Sequence, residues 1–508
     1  MRTKCANILV TCVSTILSLC VLEIGARIYV WAKANLQSRE DQKVFELIGG
    51  REVSGTTFNI YYFGESTMVG DSYEPELSIP ILVDYMLGHQ VAGKRIRSIN
   101  VAEAGENLDY NVGMLRRILE KRNIFKPSLC VIYCGHNEFF LGFDRTHRDT
   151  WFVAWCKRHS VVARRVLSAF NNYRLEIDER KYFDEPLFEQ WEYDEVVREY
   201  CKKLGEAVHL LASSRIPVIV STVVANYADW EPNRSVFRGN EADKEQFSRL
   251  MEDGKKAEAG GDVRCAVESY RGAVLLCPSF AEAHYRLGKC YETLHQDDRA
   301  WEEYQKAVEC DRMPMRALPA QNNFIRKLGE SGVAHMIDAV AYFREHTPNG
   351  NIGSNLMIDA HHPNLQGFIL LSELIAKEIK DIFSPPSQEF HYVNEEQAKK
   401  IFKLDASKLF HYYCDKGQWL LRISTWIYNP DNRLRLCEEL YRKAMALDAS
   451  HCESYLGLAM INFMRKNTAE AAAYLDEARK RDPTRVKDFL NIPFIHDIVQ
   501  RATGNTGV

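Results

Sequence analysis

Ser66 stands in Gly64-Glu65-Ser66-Thr67, directly after an apolar run from Phe58 to Phe63. A serine there either caps the next helix or is held at the rim of a sheet as a nucleophile. Three further turns bear on the choice. "NVAEAGENL" (100–108) carries Gly105, "CGHNEFF" (134–140) carries Asn137, and "IDAHHPN" (358–364) sets Asp359 three residues before His362. A hydroxyl, a glycine N–H, a carboxamide and an Asp/His pair are the set that acyl transfer needs. His362 can take the proton of Ser66, and Asp359 can hold the imidazole in the tautomer that turns a free nitrogen to the serine. The N–H groups of Ser66 and Gly105 and the carboxamide of Asn137 form a candidate oxyanion hole, each donor worth ~3 kcal/mol. Pro363 restrains His362 to extended backbone and limits where its ring points.

These residues act together only if the fold brings them to one edge. Strands are predicted at Phe58–Phe63, "IRSINVA", "LCVIYCG", "PVIVSTVV" and "AHMIDAV". They alternate with amphipathic helices at "PILVDYMLGHQ", "YNVGMLRRILEKR", "YDEVVREYCKKLGEAVHLLASS" and "LQGFILLSELIAKEI". Short apolar strands alternating with such helices imply an α/β unit with a parallel sheet covered on both faces. Ligands of such a sheet bind at the carboxyl ends of the strands, where all four turns fall.

The four blocks, "FGEST", "NVAEAGENL", "CGHNE" and "DAHHPN", resemble those of the SGNH, or GDSL-type, hydrolases and acylhydrolases, in the family's order. The resemblance covers about residues 57–230 and 331–385. It implies a flavodoxin-like three-layer α/β/α domain in which Ser66, Gly105, Asn137 and His362 are the naming residues and Asp359 completes the triad. Glu65 departs from the usual aspartate, which orders the turn. This "GES" variant, with helical repeats attached, is similar to membrane-associated members.

The repeats are visible in the spacing. Gly254 and Gly288, Ala266 and Ala300, Tyr270 and Tyr304, and Ala273 and Ala307 are each 34 apart. So are Cys437 and Ala471, Tyr441 and Leu475, Ala444 and Ala478, and Asp448 and Asp482. That period, with small residues where helices touch, is the tetratricopeptide pattern. The expected organisation is an anchor (1–31), a linker (32–55), a hydrolase domain in two parts (56–232 and 319–385), inserted repeats (233–318), a C-terminal helical region (386–500) and a tail (501–508).

The anchor rests on Cys5–Leu22, eighteen residues without a charge, about 27 Å of helix and enough for a bilayer core. Arg2 and Lys4 before it favour a single-pass protein with its catalytic part outside the cytoplasm. A basic aromatic stretch, residues 151–170, is either a lid or interfacial helix, or a helix packed on the domain with a solvated basic face.

Composition excludes several other classes. The 508-residue chain has 65 basic and 69 acidic residues, a net charge of −4, with no basic run suited to nucleic acid. Fourteen cysteines show neither CxxC pairs nor zinc spacing. "GESTMVG" lacks the lysine and hydroxyl of a phosphate loop, having Asp71 and Ser72 instead. His136, His361 and His362 have no metal-ligand spacing, so neither metal nor cofactor is expected. The residues imply a membrane-anchored serine esterase acting on an acyl ester of a glycan or lipid, with a protein partner on the repeats. An O-acyltransferase and an inert repeat scaffold are the alternatives.

Overall fold

The computed structural model describes residues 56–71, 73–121, 125–139, 190–425, 427 and 430–503. Its core is a six-stranded sheet of β1 (Thr57–Gly64), β2 (Gln90–Val91), β3 (Lys94–Asn100), β4 (Leu129–Tyr133), β5 (Val218–Ser221) and β6 (His335–Ile337). The strand order is β2-β3-β1-β4-β5-β6. Neighbours from β3 to β6 pair in parallel, with Phe58 opposite Ile96 and Phe63 opposite Ile132. β2 pairs antiparallel with β3. The expected all-parallel sheet is therefore corrected to a mixed one. β1 and β4 are buried almost throughout, as continuous apolar strands covered on both faces must be.

The chain moves from β1 to β3 on one side, then crosses back over β1 to β4. The direction reverses between β1 and β4, and α/β sheets bind their ligands at such a switch point, beyond the carboxyl ends of the strands. Around the sheet lie α1 (Ser66–Val69), α2 (Ile79–Met86), α3 (Leu108–Glu120) and α4 (Gln190–Ser213). After the inserted repeats, the helical pairs α5 (Lys244–Ala259) with α6 (Val263–Leu276) and α7 (Ala281–Thr293) with α8 (Asp297–Cys310), come α9 (Pro319–Glu330), α10 (Ala339–Glu345) and α11 (Leu365–Phe383). Helix α2 packs on α11, while α3 and α9 pack on α4.

α12 (Glu395–Ile401) leads into the C-terminal region: α13 (Ala406–Ser424), α14 (Asp431–Leu447), α15 (Glu453–Met464), α16 (Thr468–Arg481), α17 (Pro483–Leu490) and α18 (Pro493–Thr503). Consecutive helices from α13 to α16 pack on one another. The architecture is thus an α/β sheet unit with tetratricopeptide-like helical repeats.

One expectation is withdrawn. Among the described residues no helix is long and apolar enough to cross a membrane. Even α11 carries Glu373, Lys377, Glu378, Lys380 and Asp381 on its solvent side, the pattern of a helix packed on a core. The single-pass anchor, the membrane as a partner and the extracytoplasmic placement are therefore not retained. The apolar stretch Cys5–Leu22 lies outside the described residues, as do the linker and residues 151–170.

Candidate active site

β1 delivers Gly64 to the switch point, where Asn111 of α3 fixes it from both sides. The Asn111 Oδ1 accepts the Gly64 N–H at 2.8 Å and its Nδ2 donates to the Gly64 carbonyl at 3.1 Å. A Cβ on Gly64 would come within 2.7 Å of the Tyr133 carbonyl, so only glycine lets the chain turn beside β4. The single turn α1 then starts at Ser66. Glu65 occupies its N-cap position without capping it, because its carboxylate is committed elsewhere.

That carboxylate reaches the loop after β4. Glu65 Oε1 accepts the N–H groups of Gly135 (3.0 Å) and Asn137 (3.3 Å) and the thiol of Cys134 (3.1 Å), and Oε2 accepts the His136 N–H (3.0 Å). Burial pushes the Glu65 carboxyl up to about 7, against these four donors that favour the anion. The residue that departs from the family pattern therefore ties the serine turn to the asparagine loop. Glutamate has the reach to do so.

Ser66 Oγ lies 2.8 Å from His362 Nε2, and His362 Nδ1 lies 2.6 Å from Asp359 Oδ2. All three residues are buried. Asp359 Oδ1 accepts the N–H groups of His361 (2.9 Å) and His362 (2.8 Å), so one carboxylate organises both the loop and the ring. Burial alone would raise its pKa. The His362 ring and its hydrogen bond, with His361 and Lys416, hold it well below the ordinary aspartate value. The hydrogen bond from the Ile358 N–H to the His362 carbonyl (2.8 Å) secures the backbone beside Pro363.

Asn137 is tied to the glycine turn, since its Nδ2 donates to the Glu106 carbonyl at 2.9 Å. Gly105 has φ +82°, and a Cβ there would meet nothing within 4 Å. Its conformation demands glycine, and the space beside it is open. The four predicted turns thus converge on one edge, with Ser66, His362 and Asp359 in one hydrogen-bonded chain.

Two residues at this edge were not predicted. Asp71 Oδ2 lies 3.2 Å from His362 Nε2, and Lys416 Nζ of α13 lies 2.7 Å from Asp71 Oδ2. Burial pushes the Asp71 carboxyl up, and the charges of Lys416 and His362 outweigh it and hold the group below its usual value. In the sequence Asp71 reads only as a mismatch to a phosphate loop. Nothing in the spacing pairs it with a lysine 345 residues away.

Among the described residues two groups offer metal-ligand atoms within 4.8 Å of one another: Asp359 with His361 and His362, and Glu65 with Cys134 and Glu138. In the first, Asp359 and His362 are spent on each other. In the second, Glu65 is spent on backbone N–H groups. Neither donor set is free to take an ion without breaking the site.

A tetratricopeptide repeat model matches residues 252–312 and 432–486, covering parts of both helical regions. No curated protein matches the sequence significantly. Among solved structures, the chain is similar to a GDSL-like lipase from Bacteroides thetaiotaomicron, at 9% identity and TM-score 0.30, over 68% of this chain and 98% of that one. A lipase/acylhydrolase from Enterococcus faecalis matches at 15% identity and TM-score 0.28, over 65% and 100%. The tetratricopeptide protein YrrB, described as having an unusual peptide-binding site, matches at 12% identity and TM-score 0.14, over 51% and 97%. The expected resemblance to membrane-associated members is not retained, since among the described residues no helix is long and apolar enough to cross a membrane.

Proposed function

We propose that the chain is a serine hydrolase of acyl esters of the SGNH type. Its sheet unit is then a flavodoxin-like three-layer domain formed by residues 56–232 and 319–385 and interrupted by the repeats. The observation that carries this reading is the chain of contacts from Ser66 through His362 to Asp359, at 2.8 and 2.6 Å. His362 Nε2 takes the hydroxyl proton as Ser66 Oγ attacks the ester carbonyl, and Asp359 stabilises the imidazolium that forms. The N–H groups of Ser66 and Gly105 and the second amide hydrogen of Asn137 receive the oxyanion. The alcohol leaves with the proton from His362, and water repeats the cycle on the acyl-enzyme.

The substrate class is an acyl ester of a glycan or lipid, and the repeats supply a protein-binding surface. Incubation with a chromogenic acetate ester tests the chemistry. The Ser66→Ala variant should lose at least about a thousandfold in kcat, with little change in melting temperature because only a rim hydroxyl is removed. Activity within tenfold of the parent chain would remove Ser66 from the mechanism.

A further inference from the structure

Helix α13 belongs to the C-terminal helical region, yet it closes over the serine turn. Tyr412 packs on Tyr73 with ring centroids 4.4 Å apart, and Tyr73 in turn meets Phe368 of α11 at 5.3 Å. Lys408 pairs with Glu76 at 2.7 Å. Between these contacts Lys416 points inward, its side chain only 9% exposed. It lies 2.7 Å from Asp71 Oδ2 and 3.9 Å from Asp359 Oδ2. Asp71 is itself fixed by the serine turn, since its N–H donates to the Ser66 carbonyl at 2.9 Å. His362 therefore has a carboxylate at each ring nitrogen, and one lysine faces both carboxylates.

The two carboxylates do not act alike. Asp359 meets Nδ1, which carries hydrogen in either protonation state of a working base. Asp71 meets Nε2, which is a bare lone pair until the ring takes the serine proton. An oxygen 3.2 Å from that nitrogen gains a hydrogen bond only from the imidazolium. Asp71 thus favours the charged ring, usefully after proton transfer and harmfully before it, because a ring already protonated cannot act as the base. A cation on Asp71 lowers that bias.

Among the described residues, the other groups around the ring do not supply one. His361, its chain neighbour, is driven down to about 3 by burial and by the charge of His362, and burial likewise holds His136 well below its ordinary value. Glu74, beside Asp71, adds only negative charge. Lys416 is the positive group on this side of the ring.

We propose that Asp71 and Lys416 are a positioning pair for His362, which makes α13 a working part of the catalytic unit. This rests on the serine hydrolase reading above. Asp71 steadies the imidazolium formed during the reaction, and Lys416 offsets the charge that Asp71 brings to the resting ring. Whatever displaces α13 then alters the base.

The test is the pH dependence of kcat/KM for 4-nitrophenyl acetate, with the full chain. Lys416→Met should move the midpoint of the acid limb up by about one pH unit, as expected for an unopposed carboxylate near a histidine. Its activity should be about tenfold down at low pH and recover at high pH. Lys416→Arg should restore the original midpoint. Asp71→Asn should move the midpoint down, and the double variant should follow Asp71→Asn. A Lys416→Met loss that is equal at every pH would reduce the lysine to packing and overturn the pair. Should Lys416→Met fail to fold, Asp71→Asn decides, and an unmoved midpoint there overturns the pair as well. NMR titration of the His362 ring, identified by its disappearance in His362→Asn, reads the same shifts without substrate. An inactive parent chain, or an active Ser66→Ala, would sink the hydrolase reading. A dead Ser66→Ala with unmoved midpoints would sink only the pair.

Discussion

The two repeat regions are built alike and connected differently. In the inserted pair, a Cβ on Gly254 would come within 2.5 Å of the Tyr270 ring, and one on Gly288 within 2.7 Å of Tyr304. In the C-terminal region Gly417 and Gly457 flank Tyr441 in the same way. Glycine opposite tyrosine lets two helices approach and fills the gap with one ring. The inserted pair keeps most of its charges to itself: the Tyr270 and Tyr304 hydroxyls donate to Glu258 and Glu292, and Arg286 pairs with Glu282 and Glu258. The C-terminal region sends cations outward. Lys416 goes to Asp71 beside His362, and Arg433 goes to the loop after β5, stacking on Trp230 at 4.1 Å and donating to the Glu231 carbonyl at 2.9 Å. Packing makes a repeat, and one or two long side chains decide what it is coupled to.

The sharpest way to break this contrast is to remove the buried cation. Burial raises the Glu231 carboxyl and Arg433 opposes the rise, so Arg433→Met should cost about 3–5 kcal/mol, the usual result of breaking a buried pair from one side. Urea unfolding measures it, and a loss below 1 kcal/mol would show the two units to be independent there. A smaller effect compares the regions directly. Gly288→Ala and Gly417→Ala each press a methyl on a tyrosine and should each cost about 1–3 kcal/mol. Only Gly417→Ala, next to Lys416, should also lower ester hydrolysis, by severalfold. Equal activity losses in both would mean that hydrolysis follows general stability.

The smallest effect concerns acid. Asp359 is held well below its ordinary value of 3.8 in the folded chain. Such a group contributes its full stability above the unfolded value and loses it as pH falls through the folded one. Asp359→Asn should therefore flatten the stability profile below about pH 4 and leave its slope near neutrality unchanged. A wild-type profile already flat below pH 4 would contradict the assignment.

Much of this was legible in the chain. β1 and β4 announce themselves as apolar runs ended by glycine, and the 34-residue spacing of glycine, alanine and tyrosine marks both repeat regions. Residues 66, 105 and 137 could be collected because each follows a strand, and parallel strands bring such turns to one edge; Asp359 and His362 instead lie in the loop after α10, more than twenty residues beyond β6. β2 was missed because Gln90 and Val91 make only two pairs with β3, too short for any alternation to register. Lys416 was missed for a different reason. On α13 it looks like one more polar residue of an amphipathic helix, and only tertiary packing tells that its side faces the sheet unit. The reach of Glu65 to the β4 loop was equally hidden, because a carboxylate one methylene longer differs in distance and not in type.

The order of these residues along the chain sets a schedule. The contact between Ser66 and His362 spans 296 residues, and that between Asp71 and Lys416 spans 345. At ~5–20 residues per second on a ribosome, the serine emerges roughly 15–60 s before its base. Through that interval the growing chain carries the Ser66 hydroxyl without the His362 ring that it meets in the folded protein. The inserted helices, whose contacts are local, are made in the meantime. The last part to arrive is the lysine, so a polypeptide cut short between His362 and α13 would leave synthesis with Asp71 lacking its cation.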